Sequence, residues 1–509
     1  MHPHLDSTPN LQPSSLKLLN LVVGSGHWRL SMSTRPKVGC MRFKQDSSSA
    51  NLIRPDRGDG RIQRSSGARQ LAAIAGLLLA LSPLSFASSA HAGANDFLSM
   101  ESIARIRNFP TEQRLPIDIL DREIYSPKSA RFSADGSKLY INSLEGGITV
   151  VYSWPNLRKL RSISHRFNER NQDLFRNESE AFNNPYFAQS QSGNPNHFLG
   201  KPVESELSHG GRWLWVPYYR RSFDASAQSP SAVAIIDTQN DRIVRVMPTG
   251  PIPKYVAASP DGRYVAITHW GNNTIGLIDT SSGDPLQFTY VTELVVEQKL
   301  DQSELAGTDR DRTCGFCLRG TVFTEDSKYL FVARMGGGGV AGFDIEARKY
   351  LGTVTNIAST PRHLEISPDG ATVYASSNVS GTVSKVSTDL LLRSLLSANG
   401  RRIAGPRWPS IRLGRGARTI GLDPTGQVVF AAMNGDSELV AVETQSLREV
   451  ARIAVDPYAV GLAIAPDGSA AVVTSQGAGG RGGNAVNIIM LRWGDAFYNR
   501  GGFVQNPTR

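Results

Sequence analysis

Cysteine is nearly absent from this chain. There are three in 509 residues: Cys40 far upstream, then Cys314 and Cys317 in one Cys-Gly-Phe-Cys pair. Two thiols cannot build a four-cysteine zinc site, and with no histidine directly after Cys317 the c-type haem signature is missing. Histidine is scarce as well. Beyond residue 92 it occurs only at 165, 197, 209, 269 and 363, separations that give no metal-ligand spacing. No nucleophile elbow, phosphate-cradling glycine loop or pair of carboxylates is present. No metal and no cofactor are expected, and the balance leans towards a protein that binds rather than an enzyme.

Long apolar runs are lacking too. Leu71 to Phe86 is short, is broken by Pro83, follows Arg61, Arg64 and Arg69, and leads to Ala90-His91-Ala92. A basic flank, an apolar centre and a small-x-small site read as a secretory signal peptide rather than a membrane anchor. Residues 1–92 are therefore expected to be a leader cut after Ala92, leaving a periplasmic or secreted chain without a transmembrane segment. A start at Met41 would give a leader of ordinary length. The leader has no Arg-Arg pair for a twin-arginine route, and no cysteine follows the cut to accept a lipid. The cut also removes most of the basic excess. The whole chain is +10, but residues 1–92 hold 11 Lys/Arg against 4 Asp/Glu, leaving +3. Global basicity is thus no argument for nucleic-acid binding.

What the chain has in quantity is one repeated pattern, clearest in PRHLEISPDGATVYASSNVSGTVSKVS at 361–387. It reads as strand, Asp-Gly turn, strand, polar corner, strand. Aligned on the turn glycine or its replacement, the pattern recurs seven times, at Gly136, Gly211, Gly262, Ser327, Gly370, Gly426 and Gly468. The spacings are 75, 51, 65, 43, 56 and 42. The shortest match a four-stranded propeller blade, and the others match that period plus insertions. The expected fold is all-β: a seven-bladed β-propeller of four-stranded antiparallel blades over 127–494, with a C-terminal tail at 495–509. Repeats such as PKYVAASPDGRYVAITHWGNNTIGLIDTSSG resemble the YVTN-type (YncE-like) propeller family. That resemblance implies an extracytoplasmic setting and says little about chemistry.

Three insertions interrupt the period. Residues 161–200 are polar and Asn-rich, 282–316 have a helical flavour in their middle, and 388–413 contain a short helix around LLLRSLLSANGRR. The cysteine pair closes the second insertion, and a local structural disulfide is its expected state. The last blade looks short of strands, so the segment 93–126 is expected to close the ring, with Leu115–Ile124 as the outer strand of blade seven.

The register also carries a pattern of charge. Nine residues before each anchor stand Pro127, Pro202, Pro253, Leu318, Pro361, Ala417 and Ala459. The next positions are Lys128, Val203, Lys254, Arg319, Arg362, Arg418 and Val460. Equivalent positions in a propeller are related by rotation, so five cations are expected round one mouth of the channel. Glu204 and His363 follow ring positions. The corners Tyr218-Tyr219-Arg220-Arg221, His269-Trp270, Arg334, Asn378 and Asn434 are expected on the same face. Two readings compete: a site for an anionic small molecule, glycan or acidic protein, or strand-end cations paired with acids such as Glu204 or Glu365. A monomeric recognition propeller is the first functional reading, with nucleic acid a weaker candidate partner. The alternative is a lactonase-like hydrolase, which Pro361-Arg362-His363-Leu364 faintly resembles, using His363 or His269 with Glu204. A redox-partner propeller is weaker still, five histidines being too few for the multi-copper cluster that some related propellers hold.

Overall fold

The computed structural model describes residues 97–110, 115–175, 198–221, 231–300, 307–357, 359–477 and 483–502. The expected leader and cleavage site, part of each of the first two insertions and the end of the tail lie outside these residues.

Seven small sheets form a seven-bladed β-propeller. Their innermost strands are Pro127–Phe132, Glu206–Ser208, Pro253–Ala258, Leu318–Phe323, Pro361–Ile366, Ala417–Leu422 and Ala459–Ile464. The inner strand of blade 7 packs against that of blade 1, so the ring is closed. Every turn anchor has a positive φ, from 60° at Ser327 to 89° at Gly211. Glycine adopts that conformation without steric cost. A hydroxyl two residues ahead of the turn aspartate fixes the hairpin. Ser133, Ser259, Thr324 and Ser367 accept from the backbone N–H of Lys138, Tyr264, Tyr329 and Thr372 at 2.9–3.0 Å.

The apolar core is divided by blade interface. Seven clusters of buried side chains each join two neighbouring blades. Leu139 and Ile141 of blade 1 meet Val472 and Ile488 of blade 7, and Phe331 of blade 4 meets Leu364 and Val373 of blade 5. A single blade buries neither of its faces alone, so stability comes from neighbours and from closure.

The third insertion contains the expected helix, Thr388–Ala398, N-capped by Ser387. It packs on blade 4, where Leu395 and Ala398 lie so close to Gly342 and Gly352 that a Cβ there would come within 2.5–2.6 Å of them. Beyond it, Arg402–Ala404 adds a parallel fifth strand to blade 4, and Ser410–Arg412 completes blade 5. In the second insertion, 296–300 and 307–316 are turns and irregular chain without helix. The helical flavour read there falls on 301–306, outside the described residues.

The segment 93–126 closes blade 7 and Ile117–Leu120 is its outermost strand, as expected, but a further strand lies between that strand and the rest of the blade. Leu98–Arg107 forms its fourth strand, antiparallel to Ala485–Trp493, while Ile117–Leu120 from the segment 115–124 is a fifth strand, parallel to Leu98–Arg107. Leu98, Ala104 and Ile106 carry the burial, at 0–1% exposed, whereas Ile117 and Leu120 are about half exposed. The alternation of Leu98–Arg107 breaks at an irregularity between Ser102 and Ala104, which hides the strand in the sequence. Ile106→Ala is expected to cost about 2–4 kcal/mol, read as a shift in denaturation midpoint. Deleting through Arg107 exposes the Ala485–Trp493 edge and should produce aggregation by light scattering.

Candidate functional site

The ring of cations is built by one backbone device. In blades 1, 3, 4, 5, 6 and 7 the residue leading into the inner strand is left-handed: Ser126, Ile252, Cys317, Thr360, Gly416 and Tyr458 have φ between 50° and 82°. For β-branched Ile252 and Thr360 this conformation is strained. Each of these strands then slips register by one residue, between Pro127 and Ser129, Pro253 and Tyr255, Leu318 and Thr321, Pro361 and His363, Ala417 and Thr419, and Ala459 and Gly461. The unpaired residue falls at Lys128, Lys254, Arg362, Arg418 and Val460, and at Arg319-Gly320 in blade 4. A bulge releases one residue from the ladder and re-aims its side chain. Blade 2 breaks its inner strand at the equivalent Val203, between Phe198–Pro202 and Glu206–Ser208.

Neighbouring blades hold these bulges in place. Ser376 Oγ donates to the Arg418 carbonyl at 2.8 Å, Thr419 Oγ1 to that of Val460 at 2.7 Å, and Thr474 Oγ1 to that of Lys128 at 3.2 Å. Asn142 Nδ2 reaches the Glu204 carbonyl at 3.1 Å. The ring is therefore set by backbone contacts as well as by side-chain packing.

All five cations are buried, at 3–9% exposed. Two are neutralised. Arg319 Nη2 donates to Glu204 Oε1 at 2.7 Å. Lys254 Nζ lies 2.5 Å from Asp311 Oδ1 and 3.9 Å from the centre of the Trp270 ring. Asp311 also accepts from the Tyr219 hydroxyl, and its backbone carbonyl accepts from Trp270 Nε1 at 3.1 Å. Burial still brings Lys254 down to about 8, against the pull of Asp311.

Among the described residues none of the other three cations forms an ion pair with a carboxylate, and Glu204 acts on Lys128 and Arg362 only through its field. Lys128 has no ion pair or side-chain hydrogen bond among the described residues. Burial, then Arg418 and Arg319, holds its ammonium well below the ordinary lysine value, with Glu204 opposing. Arg362 Nη1 reaches the thioether of Met335 at 3.3 Å, a weak acceptor, and its buried Nε has no hydrogen-bond partner. Burial, Arg319 and Arg418 all disfavour its charge. Arg418 Nε is likewise buried without a hydrogen bond, and its guanidinium lies 5.5 Å from the Tyr458 ring. The field of Arg418, aided by Arg362 and opposed by burial, draws the Tyr458 phenol below its usual value.

A second layer lies further along the same inner strands. The Tyr255 hydroxyl and His363 Nε2 are 2.8 Å apart, and His363 Nδ1 is 3.7 Å from Glu365 Oε1. Arg131 pairs with Glu206 and also reaches the Ser205 carbonyl at 3.1 Å. Burial, then Arg319 and Arg362, holds His363 neutral, near 3. Burial raises Glu365 to about 8, with Arg131 opposing and Glu206 reinforcing.

Of the residues expected at the mouth, Lys128, Lys254, Arg319, Arg362, Arg418, Glu204 and Trp270 belong to one cluster, with His363 just beyond. His269 serves the fold: it is 0% exposed, its Nε2 accepts from the Gly250 N–H at 3.0 Å, and its Nδ1 bonds Thr274 Oγ1 at 2.9 Å. Tyr218 is buried against His165, and Arg334 bonds Glu297 and Thr353. Asn378 Nδ2 bonds Asn434 Oδ1 at 3.4 Å. The side chains of Arg220 and Arg221 lie outside the described residues. Cys314 and Cys317 are joined by a disulfide. It packs with Trp270 and Met335, which themselves touch Lys254 and Arg362. Asp311, Tyr458 and Met335 escaped the sequence reading, whereas Tyr219 lies in one of the corners expected at the mouth. Arg131 and Glu206 also escaped it, although both, like Glu365, sit three residues past a ring position and the same register finds them.

Among the described residues no group of His, Cys, Asp and Glu is placed to hold a metal ion, and no helix is long and apolar enough to cross a membrane. A shallow cavity of about 530 Å³ lies among hairpin turns, lined by His209, Asp261 and Gly262. It lies at the turn end of the inner strands, away from the ring.

The raised Glu365 fixes the sign of a pH effect. With its folded value near 8 and an ordinary unfolded value, the folded state holds the extra proton between about 4.5 and 8. Stability therefore falls as pH rises through that window. Glu365→Gln should remove this loss. The melting temperature of the variant, relative to the parent, is expected to rise from pH 4.5 to pH 8 and to level off above it.

No family model matches the chain, and no curated protein does. Among solved structures it is similar to a chain of Kuenenia stuttgartiensis hydrazine synthase, with 14% identity and a TM-score of 0.50, covering 72% of this chain and 95% of that one. At that identity the likeness speaks for the fold alone.

Proposed function

We propose that this chain is a recognition propeller that binds a small anion at the mouth of its channel. The observation that carries this is the set of three buried cations, Lys128, Arg362 and Arg418, none of which forms an ion pair with a carboxylate among the described residues. A buried unpaired charge is costly, and natural structures usually pair it or solvate it. A multivalent oxyanion would supply that partner, and arginine forks match carboxylate and phosphate geometry. Cations only 3–9% exposed can be reached by a group small enough to enter the channel. This favours a small molecule over a glycan, an acidic protein surface or nucleic acid. The repeats support membership in the YVTN-type group. The signal-like leader and the Cys314–Cys317 disulfide support an oxidising, periplasmic or secreted setting for a monomer.

The layer of Tyr255, His363 and Glu365 favours one second reading, a lactonase-like hydrolase in which these groups would move protons beside a bound anion. Anion binding without turnover of any lactone separates the first reading from the second.

Sulfate, phosphate and citrate at millimolar levels are expected to raise the melting temperature more than sodium chloride of equal ionic strength does. Changing Arg362 and Arg418 together to Gln should abolish that response while leaving the anion-free protein equally or more stable. A double variant strongly destabilised with no anion present would make the arginines structural and end the proposal.

A further inference from the structure

Beneath the cations the channel changes character. Tyr255 and His363 both directly follow ring positions, in blades 3 and 5, yet their rings meet edge to face with centres 5.2 Å apart. Blade 4 lies between them, and at the matching position it has Gly320. A Cβ there would come within 2.5 Å of the Leu364 nitrogen and 2.7 Å of His363 Cα. Glycine thus lets the blade 5 backbone at His363 close in on blade 4, and the His363 ring meets Tyr255 of blade 3. The meeting leaves one polar atom unsatisfied: His363 is 8% exposed, and its Nδ1 has no hydrogen-bond partner. Glu365, at 3.7 Å, is too far for a hydrogen bond and keeps 31% of its side chain open.

This layer is also electrically neutral around pH 7. The imidazole is held uncharged, the Glu365 carboxyl keeps its proton, and burial pushes the Tyr255 phenol well up, with Glu365 and Glu206 adding to the effect. Arg131 is matched by Glu206. A second anionic group would find no unmatched cation in this layer, whereas an uncharged hydroxyl can both donate and accept.

We propose that the Tyr255–His363–Glu365 layer receives a hydroxyl of the ligand, so that the molecule bound is a small hydroxy-carboxylate. Its carboxylate lies against Lys128, Arg362 and Arg418. Its hydroxyl fills the place next to His363 Nδ1. This rests on the anion-site reading above and adds the class of ligand. A site built to hydrogen-bond a hydroxyl discriminates strongly against the analogue without one, because its own buried polar groups are then left unpaired.

The test is calorimetric titration at pH 7 with pairs that differ by one hydroxyl: malate against succinate, and citrate against tricarballylate. The hydroxylated member of each pair is expected to bind at least about tenfold more tightly. Tyr255→Phe and His363→Asn, each checked for an unchanged circular dichroism spectrum, should bring the pairs within about threefold of each other while the sulfate response persists. Equal binding within each pair by a protein that still responds to sulfate overturns this inference and leaves the anion site standing. No binding of any anion, sulfate included, overturns both.

Discussion

In six of the seven blades the chain enters the innermost strand through a left-handed residue and then carries one residue too many for its partner strand. That extra residue cannot join the ladder, and rotation about the axis brings its counterparts together. Where the residue is Lys or Arg, the result is a set of like charges packed in a poorly hydrated space, which no local preference of the chain would produce. The hydroxyls and amide that clamp the bulge carbonyls hold it there. The strain at Ile252 and Thr360 and the crowding of cations are offset by the seven apolar interfaces between blades.

The remaining features of the mouth adjust this charge. Glu204, at the break in blade 2, answers Arg319. The second insertion brings Asp311 to Lys254, and the Cys314–Cys317 disulfide closes that insertion against Trp270 and Met335. Two cations are thereby settled and three are left. Tyr458, the left-handed residue before Ala459, is drawn towards ionisation by Arg418. It stands as a phenol where the field favours a negative oxygen. This partial neutralisation of the ring is what the proposed anion site rests on.

Much of this was legible in the sequence because it is local or repeated. The Asp-Gly turns announce themselves through residues that tolerate positive φ, and the ring positions follow by counting from them. The readings that fell short depended on contacts between distant segments. Leu98–Arg107 is hidden by its own irregularity, so Leu115–Ile124 looked the better closing strand. His269 occupies a corner that reads as exposed, yet its imidazole accepts from the Gly250 backbone, 19 residues away. Asp311 lies in an insertion with no register to count along. Tyr255 and His363 meet across blade 4, where Gly320 admits the blade 5 backbone at close range, a relation among three blades that no single repeat reveals.

On the proposed reading, Lys128, Arg362 and Arg418 bind one anion together. Crystals grown with selenate and measured at the selenium edge test it directly. The expected result is an anomalous peak within hydrogen-bonding distance of all three side chains, with Arg319 still on Glu204 and Lys254 still on Asp311. A mouth without anomalous density, in which the three cations have turned to acids of the protein itself, would contradict it.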